Sequence, residues 1–154
     1  MASVLAIIHG LVAVALLGAI THQTLATWSP AGAKPGWFFA CFRAVKSDSF
    51  ANAVVVLYLL AAALGAIVYL DFKVDIAPDL ERDGHWLALG LFDLKEDFAV
   101  IGLGLMPAYW VCWRRPLTDT PNLTRLALTS LVAFVVWWSF LVGHVLVNIM
   151  GFES

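Results

Sequence analysis

The sequence predicts an all-α integral membrane protein: a four-helix bundle whose N- and C-termini both lie on the outer, periplasmic side. Three observations carry that expectation. Apolar residues make up 62% of the chain and charged residues only 13%, where a soluble domain has roughly a quarter charged. The apolar residues gather into four runs, each long enough to cross a bilayer at about 20 residues per crossing. The connecting segments alternate in charge, basic, then acidic, then basic.

The runs cover residues 4–25, 51–70, 86–113 and 126–150, and together they form a single transmembrane domain over residues 1–154. Residues 1–28 carry no charged side chain. A secretory signal has a basic start and a short apolar core, so this run reads as a retained first span. The second run is rich in small residues, with Ala61, Ala62, Ala63, Gly65 and Ala66, and the third contains Gly102 and Gly104; both allow neighbouring helices to approach closely. Pro30, Pro35, Pro78, Pro116 and Pro121 fall between the runs, where they punctuate the chain. Each run is expected to be helical, because irregular backbone facing lipid leaves its amide groups unpaired.

Orientation follows from the connections. Lys34, Arg43 and Lys46 lie between the first two runs, and Arg114, Arg115 and Arg125 lie around the last connection. Asp71, Asp75, Asp79, Glu81 and Asp83 dominate the segment between the second and third runs, which is expected to be an acidic loop. Basic connections stay in the cytoplasm, so the acidic segment and both termini fall outside. Trp28, Trp37, Trp86, Tyr109, Trp110 and Trp113 sit near the expected boundaries, as an aromatic belt requires. The location implied is a bacterial-type inner (plasma) membrane, with multi-pass insertion. A net charge of −2 supplies no basic field for nucleic acid, so the partners expected are the lipid bilayer and other membrane subunits. Cys41 and Cys112 fall at the reducing side and lack a CxxC spacing, so no disulfide is expected.

Ionisable residues inside spans are functional candidates, because lipid-facing surface has no use for them. His9 in the first span and His144 in the last lie at similar depth near the outer side, each beside a glycine, Gly10 or Gly143. Two imidazoles facing each other across a bundle supply both axial ligands of a b-type haem; the alternative is that each merely hydrogen-bonds between helices. Asn148, one turn beyond His144, is placed to orient that ring. His22 lies nearer the inner end among Thr21, Gln23 and Thr24. It sits about 140° around the helix from His9, which argues against a second haem beneath the first. It reads either as a polar helix end or as a contact for a quinone head group.

The run DLKED brings Asp93, Lys95, Glu96 and Asp97 into the third span. Asp93, Glu96 and Asp97 share a face at i, i+3, i+4, while Lys95 leans away. Each charge at mid-membrane costs about 2.5–3.5 kcal/mol on insertion scales, so the carboxyls are expected to face the bundle, a water-filled cavity or a partner subunit. They can form a proton path. They can also complete a metal site made of His9, His144, Glu96 and Asp97, since mixed nitrogen and oxygen ligands suit iron and other divalent metals. A third possibility is that the span begins late, near Asp97, so that DLKED touches water.

Four spans with buried histidines resemble the small membrane-bound b-type cytochromes, which carry electrons between quinones and soluble partners. The resemblance covers the four spans and rests on His9 and His144. It implies an electron-transfer subunit binding haem b near the outer face, within a larger respiratory or photosynthetic complex. This sequence departs from the family's two-haem pattern in lacking a second histidine pair, which puts transmembrane electron transfer in doubt. Two other functions compete with it: a cofactor-free accessory subunit, and a protein that handles protons, ions or metals through the carboxylates of the third span. No catalytic residue is identified, and the absence of Walker, Rossmann and nucleophile-elbow motifs disfavours a nucleotide-driven pump or a hydrolase.

Overall fold

The computed structural model describes residues 2–28, 47–114 and 123–151, with side chains described for 4–28, 50–114 and 123–146. The expected all-α architecture is present. Helix α1 spans Ala2–Trp28 and α2 spans Ser47–Asp71; a π-helical turn at Phe72–Ile76 leads into the short α3, Ala77–Arg82; α4 spans Trp86–Arg114 and α5 spans Leu123–Gly151. The long helices form a ring in which α1 touches α2 and α5, and α4 touches α2 and α5.

Cross-helix contacts fix their directions. Thr21 meets Trp137 while Trp28 meets Ser130, so α5 runs against α1. Asn52 meets Trp110 and Tyr58 meets Ala99, so α4 runs against α2. His22 stacks on Phe50 while His9 lies over Gly65, which sets α2 against α1. The result is an up-down-up-down bundle with an acidic end near Trp86 and a basic end near Arg114 and Arg125.

Three helical segments are long and apolar enough to cross a membrane: Val4–Trp28, Phe50–Arg82 and Leu123–Leu146. Their outward faces are apolar too. Leu11, Val14, Val56, Leu60, Leu131 and Leu141 are all about half exposed or more, a distribution that suits lipid and leaves a soluble protein with an aggregation-prone surface. α4 is as long as α5, and its DLKED run sets it apart from the other three.

The acidic segment is not a loop. Residues 71–82 continue α2 as helix, because the backbone ladder slips one residue at the π-helical turn, where the Ala77 N–H bonds to the Phe72 carbonyl five residues back. Pro78 follows at once and has no N–H to give, so the slip falls where the regular ladder fails anyway. The helix then ends in a Schellman turn: the His85 N–H bonds to the Leu80 carbonyl at 2.9 Å and the Gly84 N–H to that of Glu81 at 3.2 Å, with Gly84 at φ +81°. Glycine takes that left-handed conformation without steric cost. This folding-back buries Phe72, Leu80, Leu89, Phe92, Val142 and Leu146 in a small core at the acidic end. Phe72 and Phe92 stack there, with centroids 3.7 Å apart.

The aromatic belt divides. Trp28, Trp86 and Trp110 are exposed as a belt requires, but Tyr109 and Trp113 are buried in the bundle. Trp37 and Cys41 lie outside the described residues.

Candidate functional site

Adjacent residues on a helix project about 100° apart, so two neighbours can flank the inward direction of α4. Lys95 and Glu96 do this. Lys95 Nζ lies 2.5 Å from Glu96 Oε1, with side chains only 16% and 27% exposed, and the ammonium also sits 4.7 Å from the Phe92 ring centroid. The two charges satisfy each other at the edge of the interior.

His9 reaches the same place from α1. Its ring lies over Gly65 of α2, with Cε1 3.2 Å from the point a side-chain Cβ would occupy, so a side chain there would press the imidazole aside by a few tenths of an ångström. Its polar neighbours are the Ala61 carbonyl and the charged groups of Lys95 and Glu96. The His9 Nδ1 atom is buried and lacks a hydrogen-bond partner among the described residues.

Tyr58 completes the layer from α2. It is 5% exposed, lies within electrostatic range of Glu96, and donates its hydroxyl proton to the Ala99 carbonyl at 2.8 Å. Sequence reasoning missed it. A lone tyrosine inside VVVLYLLAAA reads as ordinary core, and the available signal was that a hydroxyl in an apolar run needs a partner.

Asp93 and Asp97 turn outward. Asp93 pairs with Lys73 at 2.7 Å, with side chains 57% and 36% exposed, while Asp97 is exposed on the outside of α4. The carboxyls expected on one face are therefore divided: Glu96 joins His9 inside, Asp93 lies at the rim one turn nearer the acidic end, and Asp97 faces away. Lys95, expected to lean elsewhere, is the inner partner of Glu96. His144 is exposed on α5 and stacks on Phe140, with rings 3° from parallel and centroids 6.4 Å apart. Among the described residues no three His, Cys, Asp or Glu side chains converge. The Asn148 side chain lies outside the described set.

A second polar layer occupies the basic end. His22 stacks on Phe50 at 4.1 Å between centroids. Gln23 is fully buried and is the polar neighbour of the Tyr109 hydroxyl. Trp113 donates to Thr129 at 3.2 Å, and the buried Arg125 donates twice to the Cys112 carbonyl, at 3.2 and 2.7 Å. Between the two layers lies apolar packing, including Leu16, Ile20, Val54, Met106, Val132 and Val136.

Chemically, the layer near the acidic end brings an imidazole and a phenol within electrostatic range of the Lys95–Glu96 ion pair, a set suited to binding a proton. Comparison of the chain with family models, curated proteins and solved structures gives no match.

Proposed function

We propose that this chain is a multi-pass protein of a bacterial-type inner membrane that binds and releases a proton at Glu96, within a membrane complex. α4 supplies the fourth crossing in this reading. At 29 residues it is about 44 Å long, more than the roughly 30 Å hydrocarbon layer. The acidic end and both termini face outward, and Arg114 and Arg125 mark the cytoplasmic end.

The observation that carries the proposal is the inward Lys95–Glu96 pair, joined by His9 from α1 and Tyr58 from α2. Membrane-embedded ionisable clusters facing a bundle interior are characteristic of proton relays. Asp93, one turn nearer the acidic end and open to solvent, gives Glu96 a route to water. The apolar packing on the other side separates the cluster from the basic end, so exchange takes place with one side of the membrane. A proton arriving on Glu96 neutralises it and loosens Lys95, and the bare His9 Nδ1 offers the next acceptor. The test is a pair of proton-binding titrations on protein reconstituted in lipid vesicles. Glu96→Gln should bind a proton fewer per chain than the parent, and identical curves would defeat the proposal.

Haem-b electron transfer through His9 and His144 is the second reading; His9 lies inside over Gly65 while His144 is exposed on α5, so it requires a haem held where both rings reach it. A quinone contact at His22 belongs with it. The visible spectrum of the purified protein decides: a reducible Soret band lost in His9→Ala and His144→Ala supports haem, and its absence from protein purified with its native membrane partners counts against it.

A further inference from the structure

Among the neighbouring long helices, α2 and α4 pack the most loosely. Toward the basic end they part into an open groove of about 300 Å³, lined by Val55 and Leu59 of α2 and by Leu103, Met106, Pro107 and Trp110 of α4. The lining is apolar apart from the Trp110 indole N–H, which donates to Asn52 Oδ1 at 3.2 Å. Pro107 has no N–H to give the Leu103 carbonyl one turn back. Both residues border the groove, so the gap opens where the backbone ladder of α4 is already interrupted.

A cation closes one end. Arg114 lies one turn beyond Trp110, with its guanidinium carbon 4.7 Å from the Trp110 ring centroid, and it donates to the same Asn52 oxygen at 3.3 Å. It is exposed, and no carboxylate pairs with it among the described residues. A guanidinium carries five N–H donors in a fork that matches phosphate, and Asn52 engages only one nitrogen of it. Because Asn52 Oδ1 accepts both bonds, the Asn52 amide nitrogen remains to donate as well.

The dimensions correspond to one leaflet. Leu103 lies about 16 Å along α4 from Arg114, against roughly 15 Å for half of the hydrocarbon layer. The Arg114 end is the cytoplasmic end by the positive-inside rule, and that leaflet carries the anionic lipids.

We propose that the groove holds an acyl chain of an anionic phospholipid whose phosphate sits on Arg114 and the Asn52 amide. Basic pockets between spans on the cytoplasmic side suit such head groups, and here the apolar groove runs directly into the cation, so chain and phosphate are recognised together. Charge selects against a zwitterionic lipid, whose own ammonium would stand beside the guanidinium. The site depends on α4 crossing the membrane with Arg114 inside, and is independent of proton binding at Glu96.

Native mass spectrometry tests it, on the full-length chain in mild detergent with equal amounts of dioleoylphosphatidylglycerol and dioleoylphosphatidylcholine. The parent should retain the glycerol lipid several-fold more than the choline lipid. Arg114→Gln should abolish that preference. Leu59→Trp, which fills the groove and leaves Arg114 in place, should lower retention of the glycerol lipid several-fold; Leu59 is 49% exposed, so the larger ring leaves the core undisturbed. Arg82→Gln, at an exposed arginine of the acidic end, should change nothing. The proposal is overturned if the parent holds the two lipids equally, if Arg114→Gln keeps the preference, if Leu59→Trp retains as much lipid as the parent, or if Arg82→Gln lowers retention as much as Arg114→Gln.

Discussion

The Tyr58 hydroxyl occupies the space that a side chain on Gly102 would fill. A Cβ at Gly102 would overlap that oxygen and lie 2.8 Å from Tyr58 Cζ and 2.9 Å from Val135 Cγ1. α2, α4 and α5 thus meet at a point that admits no methyl group. Gly102→Ala is expected to destabilise the fold by about 1–3 kcal/mol, the usual cost of overpacking a core, read as a lower midpoint in denaturant-induced unfolding. Tyr58→Phe added to Gly102→Ala should recover part of the loss by removing the oxygen that clashes.

The inward pair on α4 makes a different prediction, because each charge is tolerated only with the other present. Glu96→Gln leaves the Lys95 ammonium without its carboxylate in a largely buried position, and the expected cost is about 3 kcal/mol. The joint replacement Lys95→Met with Glu96→Leu should be more stable than Glu96→Gln alone, as paired buried charges can often be exchanged for apolar groups with little loss. Unfolding measurements on the parent and the two variants check this, and equal stability of all three proteins would show that the pair is not coupled.

At the Schellman turn, Gly84→Ala forces a β-carbon into a left-handed conformation at φ +81°. The expected cost is about 1 kcal/mol, with Gly84→Asn milder because asparagine tolerates that region better. Hydrogen exchange at residues 77–82 should accelerate in the alanine variant, since the two carbonyls capped there belong to Leu80 and Glu81. Unchanged exchange would mean that the helical extension does not depend on its cap.

The four long helices were legible because their apolar runs are long and the breaks are marked by proline and charge. The helical stretch 71–82 was not. Pro78 and four acidic residues give it the composition of a loop, and nothing local reveals that a one-residue slip at Phe72 lets the helix absorb the proline. DLKED shows the complementary limit. Periodicity states which residues share a face of α4, but not which direction points into the bundle: Lys95, expected to lean away from the carboxyls, turns inward with Glu96, while Asp97 is exposed. The closeness of His9 to the third span's carboxyls was readable from depth alone. Its seat on Gly65 was not, because the rotation of α1 against α2 is set by packing, and Tyr58 carries no pattern that separates it from core.

Infrared spectroscopy of the reconstituted protein tests the central claim, that Glu96 exchanges a proton inside the bundle, most directly. The pH-difference spectrum should contain a carboxylic-acid carbonyl band that Glu96→Gln abolishes, that shifts in His9→Phe as the imidazole beside it is lost, and that survives in Asp93→Asn. A spectrum in which Glu96→Gln leaves every carboxyl band in place would contradict the account.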